Sequence, residues 1–330
     1  MEGKHFLNMP LVITEMVVKY LRPNDIIALS KTCKSMQIVC TNPKFWRKLI
    51  LKVTNLVSNT NNCEFIVKEF SEKGLIDFEI YYPRDESGIK NLAFGEVDNC
   101  ANKVLKLLPN DLEKLQIPLF MFSNAMNLLS SLERFTNLKS LTMGKHIQVF
   151  GEFKNWKRKY GSINKMLNIL FTKIQTLEHV VIHDCHGFLK EPFSRLARNN
   201  PQIKSLDASY SWSLDRSGLK DIACFDGLQS LTLRCCGIND ENLVDVLDNC
   251  QKLEALDISW TFVTSITLAK IPEKLPILLY LNISGCKAIT YAGLRQFSLA
   301  VSSIKKFYIR KAFTIRMACL FATYPVYLDK

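Results

Sequence analysis

A six-residue phrase returns along the second half of this chain at nearly constant spacing. LEHVVI begins at Leu177, IKSLDA at Ile203, LQSLTL at Leu228, LEALDI at Leu253, LLYLNI at Leu278 and IKKFYI at Ile304, so successive starts lie 26, 25, 25, 25 and 26 residues apart. A period of this length predicts one small supersecondary unit stacked on copies of itself. No single unit buries its apolar side alone, whereas a stack does, and the stack presents a long repeated surface. That points to binding ahead of catalysis. It also lets 330 residues fold without the one large core that limits compact domains.

The first, fourth and sixth places of each phrase are apolar, as in Leu228, Leu231 and Leu233 or Leu253, Leu256 and Ile258. A strand alternates its faces, so these places point inward and those between point out. A small residue follows each phrase (Cys185, Ser211, Cys236, Thr261, Cys286), where its side chain can satisfy buried backbone groups as the chain turns off the strand. Leu243, Val246, Leu247 and Cys250 then recur at 0, 3, 4 and 7, predicting a return helix with Asp240 as its cap. Pro272 predicts that the helix between Thr264 and Leu275 is short or irregular. A period near 25 is too short for a βαβ unit of about 30 or more residues, which argues against a doubly wound nucleotide-binding fold. Taken with the segments 237–240 and 288–290 that follow two of its cysteines, the pattern resembles the cysteine-containing leucine-rich repeats found in F-box proteins.

Upstream the phrase is degraded. LIDFEI at Leu75, IKNLAF at Ile89, LEKLQI at Leu112 and LKSLTM at Leu138 keep its internal pattern with irregular spacing. The step from Leu138 to Leu177 is 39, and the excess is assigned to a basic, aromatic insertion at about 149–162. That insertion reads either as a bland exposed loop or as a recognition loop at a binding face.

Residues before about 50 do not share the repeat and read as three short helices. Val12, Ile13, Met16, Val17, Tyr20 and Leu21 carry the spacing of a helical apolar face, with Pro10 in its first turn and Pro23 stopping it. Ile26, Ile27, Leu29 and Cys33 form a second segment with Asp25 as cap. Asn42 caps the turn that Pro43 opens and that carries Phe45 and Trp46. A segment this short cannot bury a core of its own, and its surplus apolar faces call for a covering chain. The alternative is that these helices cap the end of the stack.

This head resembles an F-box. Met9, Pro10, Ile13, Val17, Tyr20, Leu21, Asp25, Ile26, Leu29, Cys33, Pro43 and Trp46 fall at family positions, while Val12, Thr32 and Met36 depart from the family pattern. The resemblance implies docking onto a Skp adaptor, and through it a cullin, by Met9, Pro10, Ile13, Val17, Tyr20, Leu21, Ile26, Leu29, Cys33 and Trp46. The implied role is the non-catalytic substrate-recognition subunit of a Skp–cullin–F-box ubiquitin ligase. Two rivals are a Skp-bound module without ubiquitin transfer and a basic repeat protein associated with nucleic acid.

The expected fold is therefore α/β: a three-helix F-box at 1–50, a helical linker at 51–74, and a leucine-rich-repeat solenoid at 75–330 with a curved parallel sheet inside and helices outside. Within it, 75–145 is degenerate, 177–312 is regular and 313–330 is a tail. Outward strand positions supply the candidate protein-substrate surface: His183, Tyr210, Arg234, Trp260, Tyr280, Tyr308 and Arg310, beside Asp184, Asp207, Asp257, Asn282 and Lys311. Tyr, Trp and Arg dominate binding hot spots. Arg234, Arg310 and Lys311 fit an acidic or phosphorylated segment. The tail is the competing cover for some of these rings.

Other functions are disfavoured. The net charge of +12 is scattered, so nucleic acid is not the expected partner. No apolar run approaches the ~18 residues of a membrane helix or resembles a signal peptide. Eleven cysteines then read as thiols in a reducing compartment, cytoplasm or nucleus. His183, Asp184, Cys185 and His186 face different ways from a strand, no paired CxxC exists, and no phosphate loop, GxGxxG or GxSxG is present, so no metal or cofactor is expected.

Overall fold

A computed structural model describes residues 11–81, 94–118, 126–144, 156–183, 190–212, 214–309 and 326–327. It divides into two compact units, one of 1–123 with 130–138, the other of 124–129 with 139–330.

In the first unit three helices, α1 (Leu11–Val18), α2 (Pro23–Ser30) and α3 (Lys34–Cys40), precede a 3-10 turn at Pro43–Phe45. Asn42 caps that turn as expected, its side chain accepting from the Lys44 amide at 3.1 Å. Asp25 does not cap α2. Arg22 stands at that place, and Asp25, inside the first turn, accepts from Arg22 Nε at 2.9 Å. A strand then follows that the phrase count did not mark, β1 (Lys48–Lys52), with α4 (Val53–Ser58) and α5 (Thr60–Glu72) behind it. Trp46, Leu49 and Leu51 are buried here, so the head's last residues already carry a first-fourth-sixth phrase.

β2 (Asp77–Tyr81), α6 (Phe94–Leu105) and β3 (Lys114–Ile117) complete this unit's ladder, in which β1, β2 and β3 are parallel neighbours. Leu75, Phe78 and Ile80 are buried, as are Leu112, Leu115 and Ile117, so two degraded phrases form strands. The phrase at Ile89 lies outside the described residues except for Phe94, which opens α6. Arg134 closes the C-terminal end of α6, donating to the carbonyls of Leu105 (2.7 Å) and Leu108 (2.5 Å).

After α7 (Met126–Leu132), the second unit begins its ladder with β4 (Ser140–Met143), α8 (Trp156–Lys173), β5 (His179–Ile182) and α9 (Lys190–Asn199). α8 corrects the expectation of a loop at 149–162. Residues 149–155 lie outside the described part, and 156–162 are the first turns of an 18-residue helix. Ile163, Met166, Leu167, Leu170 and Phe171 repeat at 0, 3, 4, 7 and 8 and are buried, which is what holds it helical.

The regular repeats then alternate β6 (Ser205–Asp207), α10 (Arg216–Ile222), β7 (Ser230–Thr232), α11 (Asp240–Asn249), β8 (Ala255–Asp257), α12 (Ser265–Lys274), β9 (Tyr280–Asn282), α13 (Tyr291–Ala300), β10 (Lys306–Tyr308) and β11 (Val326–Tyr327). All neighbours from β4 to β11 are parallel where paired, and the fourth place of each phrase stands in one register row: Leu141, Val180, Leu206, Leu231, Leu256, Leu281, Phe307 and then Val326. The side chains of that row from Leu141 to Phe307 are buried, and each contributes about 1.5–3 kcal/mol by leaving water.

The turn residues do what their size allows. Ser211, Cys236, Thr261 and Cys286 are buried. Cys236 Sγ reaches the Ala208 carbonyl at 3.3 Å, Cys286 Sγ the Ile258 carbonyl at 3.1 Å and Thr261 Oγ1 the same carbonyl at 2.7 Å. Asn239, not Asp240, caps α11. The Asp240 carboxylate instead spans to the next repeat, accepting from the Thr264 amide (2.9 Å) and hydroxyl (2.8 Å) and from the Thr267 amide (3.2 Å) and hydroxyl. Burial raises its proton affinity, but those four donors outweigh it and hold the carboxyl below its ordinary value. α12 is a ten-residue helix despite Pro272. The ring removes one backbone bond, while buried Leu268, Ile271 and Leu275 pin the last turn, which ends with the Leu275 amide on the Ile271 carbonyl at 2.9 Å.

Candidate functional site

Two surfaces stand out, one in each unit. In the head, α1 packs on α3 and α2 on both α3 and α5, burying Val18, Ile26, Ile27, Met36, Val39, Cys40, Phe45 and Trp46. Trp46 is 1% exposed. Its Nε1 donates to the Cys40 carbonyl, its ring meets Phe70 edge-on at 4.9 Å, and Lys73 Nζ lies 3.9 Å from its centroid. Ile26 and Trp46, expected among adaptor contacts, are therefore core residues of the unit. The segment was too short to bury them alone, and α5 supplies the missing wall.

The remaining head residues divide by face. Ile13 and Tyr20 are exposed, Val17, Leu21, Leu29 and Cys33 are half-buried, and Met9 and Pro10 lie outside the described residues. Val12, Met16 and Ile38 are exposed too. Val12, Met16 and Tyr20 are four apart, one stripe down α1 into its following turn, and that spacing is legible in the sequence. Met16 is 60% and Tyr20 80% exposed, so the stripe meets solvent.

In the second unit the strand face gathers the outward places of successive phrases. His183 Nε2 lies 2.9 Å from Asp207 Oδ2, and the His183 and Tyr210 rings meet edge-on at 6.2 Å. Asn282 Nδ2 donates to Asp257 Oδ2 at 2.9 Å, and the Tyr280 and Tyr308 rings stand 5.2 Å apart. Arg234 and Trp260 are exposed, and Arg310 lies outside the described residues. An Asx motif recurs: the amides of Ser209, Ser259 and Ser284 donate to Asp207, Asp257 and Asn282, two residues back, at 2.9, 2.9 and 3.0 Å.

Equivalent carboxylates titrate in opposite directions. Burial raises the Asp207 carboxyl, but the hydrogen bond and charge of His183, with Ser209, prevail and leave it below its ordinary value. At Asp257 burial wins over Ser259, Asn282 and Arg234, and the value is raised. Burial lowers the Arg234 value, yet the Tyr210, Cys235 and Asp257 interactions leave it raised. Burial pushes Tyr280 up to about 12. These groups are arranged to hold a surface, with carboxylates already engaged by donors.

At the eighth place of the phrase the backbone is left-handed in four successive repeats: Tyr210 (φ 65°), Cys235 (54°), Trp260 (59°) and Gly285 (74°). For the three that are not glycine this conformation costs about 1–2 kcal/mol each. It is held by amide bonds into the next repeat, from Tyr210 to the Arg234 carbonyl (2.7 Å), Cys235 to Ser259 (2.9 Å) and Trp260 to Ser284 (2.7 Å). Two places further on, Trp212 and Phe262 are exposed, their rings edge-on at 6.3 Å. The sequence reasoning stopped short of this tenth place; the signal was Trp212, Gly237 and Phe262 at steps of 25.

Among the described residues no group of three His, Cys, Asp or Glu side chains could hold a metal ion, and no helix is long and apolar enough to cross a membrane. Residues 184–186 of the His-Asp-Cys-His run lie outside the described part.

One parallel strand per repeat, inward first, fourth and sixth places, and a buried column of small turn residues define a leucine-rich-repeat protein. The model of the F-box domain matches residues 6–48, and that of the FBD-associated F-box protein At5g56370 LRR repeats matches 169–312. The chain is an F-box protein with leucine-rich repeats. No curated protein matches it. Solved structures similar to it include a chain of the Rad7 and Elc1 complex of yeast, 15% identical over 97% of this chain and 81% of that one with a TM-score of 0.48. Another is the leucine-rich repeat-containing protein LegL7 of Legionella pneumophila, 11% identical over 92% and 93% with a TM-score of 0.49.

Proposed function

We propose that the chain is the substrate-recognition subunit of a Skp–cullin–F-box ubiquitin ligase, acting in the cytoplasm or nucleus and forming no bonds itself. The observation that carries the reading is the coincidence of the F-box match at 6–48 with a solvent-facing apolar stripe, Val12, Ile13, Met16 and Tyr20, joined by Ile38 on α3. Covering such side chains contributes about 1.5–3 kcal/mol each, and an isolated chain gains nothing by displaying them together. Half-buried Val17, Leu21, Leu29 and Cys33 complete the proposed Skp contact. His183, Tyr210, Arg234, Trp260, Tyr280 and Tyr308 face a protein substrate. Catalysis is then proximity, in which the head fixes the chain to the ligase and the repeats raise the substrate's effective concentration near a charged conjugating enzyme.

Co-expression of the full chain with a Skp adaptor and a cullin tests this. Wild type retains both partners through purification, and Met16→Asp with Tyr20→Asp loses both while melting as wild type does. Retention of the adaptor by that variant overturns the docking surface. Adaptor binding without the cullin would instead favour a Skp-bound module that transfers no ubiquitin.

A further inference from the structure

We propose that Cys63 and Cys100 are a redox-modified pair, two thiols on facing helices that a peroxide closes into a disulfide between α5 and α6. Both helices belong to the first unit, and the inference does not depend on what the head docks onto. Cys63 opens the buried stripe of α5, with Ile66, Val67 and Phe70 following it at three, four and seven residues. Cys100 stands on α6 beside that helix's own buried stripe of Val97, Ala101 and Val104.

The two helices pack directly on each other, and two side-chain contacts fix how they are aligned. Thr60 Oγ1 donates to Cys100 Sγ at 3.1 Å, and Lys103 Nζ lies 3.9 Å from Glu64 Oε1. Thr60 and Glu64 are one turn apart on α5, as Cys100 and Lys103 are on α6, and Cys63 lies between the two α5 positions. The Cys100 sulfur therefore sits at the level of α5 that carries Cys63. Its charge is felt there as well: burial is the larger cause that raises the Cys63 value, and Cys100 raises it further.

The chemistry follows from unequal access. Cys63 is 3% exposed and Cys100 is half-buried, so hydrogen peroxide reaches Cys100 first. The Cys100 sulfur attacks one peroxide oxygen, giving a sulfenic acid and one water. The Cys63 sulfur then attacks the Cys100 sulfur, and the sulfenic hydroxyl leaves with the Cys63 thiol proton as a second water. Two thiols have lost two electrons and two protons, and one peroxide has become two waters. In a reducing compartment two glutathione thiols reopen the bond. Cys224 and Cys250 also interact, but burial pushes Cys250 up to about 12 and holds it protonated against the attack a bridge requires. The consequence lies in the head's support. α2 packs on α5, and Phe70 of α5 meets the Trp46 ring edge-on at 4.9 Å. A bond from Cys63 to Cys100 ties that wall to α6 and restricts the unfolded chain.

The test is a thiol map of the full chain, purified reduced and treated with a small excess of hydrogen peroxide in the absence of denaturant. Remaining thiols are alkylated, and the digest is read by mass spectrometry before and after dithiothreitol. The expected result is a joined pair of peptides carrying Cys63 and Cys100, lighter by two hydrogens than their sum and separated by reduction. Dimedone, which traps sulfenic acid, should label Cys100 persistently in Cys63→Ala, where the resolving thiol is missing, and only transiently in wild type. Oxidised wild type should melt about 5 °C or more above the reduced protein, and Cys100→Ser should show no such rise. The proposal is overturned if Cys63 and Cys100 stay unlinked in folded wild type, or if either is joined to a different cysteine instead. The wild-type map decides this by itself, so a Cys63→Ala variant that melts early leaves the result standing.

Discussion

Trp260 rests against Gly285, the residue that occupies its own place one repeat later. The space a Cβ would fill at Gly285 lies 2.4 Å from Trp260 Cδ2, and Gly285 itself has φ 74°. The two residues are 25 apart in the chain and share the eighth place of successive phrases. One repeat supplies the ring and the next supplies the gap.

Gly285→Ala should accordingly cost stability twice, through a left-handed alanine and through displacement of the indole. The first is about 1–2 kcal/mol and the second about 1–3 kcal/mol, so a loss of roughly 2–5 kcal/mol is expected in urea unfolding. Tryptophan emission should shift to longer wavelength in the folded variant as the ring lifts away. An unchanged midpoint and spectrum would show that the contact is slack.

The two strand-face aspartates should impose opposite pH dependences. For Asp207 the folded value lies below the unfolded one, near 3.9, so the unfolded chain binds more protons between them. Its stabilisation is present above about 3.9 and is lost as pH falls through the folded value. For Asp257 the folded value is raised, so the native state binds more protons and stability declines as pH rises from about 3.9 through that value. Asp207→Asn should therefore flatten the acid limb of the urea midpoint measured against pH. Asp257→Asn should remove the decline on the other side. The same slope in both variants would contradict this assignment.

Thiol labelling should follow burial. Burial pushes Cys236 and Cys250 up to about 12, so both stay protonated at neutral pH, whereas Cys224 is exposed. Iodoacetamide on the folded protein should modify Cys224 readily and reach Cys236 and Cys250 only with denaturant, as read by peptide mass mapping.

Trp46→Ala should behave differently from any change on the α1 stripe. Removing a fully buried indole costs about 3–5 kcal/mol, which should melt the head and the adjoining repeats early. Val12→Ser, on an exposed face, should stay within about 0.5 kcal/mol of wild type. Adaptor loss with a normal melting curve therefore reports on docking, and adaptor loss with early melting does not.

Much of the architecture was legible in the sequence because it rests on period and alternation. The row from Leu206 through Leu231, Leu256 and Leu281 is buried where the first-fourth-sixth rule put it, and Asn42 caps the turn it precedes. Tyr280 and Tyr308, at outward places of successive phrases, stand with their rings 5.2 Å apart for the same reason. Elsewhere local rules named the wrong residue. Asp240 looked like a cap and serves as a cross-repeat acceptor, since two threonines 24 and 27 residues away offer four donors. The stretch after 155 looked like loop because its early residues are basic, yet it is helical through apolar contacts made further along α8.

The amino-acid order alone determined the repeat, its inward positions and the presence of a helical head, because each depends on which residue types recur at which spacing. Only the tertiary structure decided that Trp46 and Ile26 are core while Val12, Met16 and Tyr20 meet solvent. It alone decided, too, that tryptophans at the turns lie against glycines one repeat on. Those outcomes depend on contacts between residues about 25 positions apart and on the sign of a backbone angle, and neither is written in local pattern.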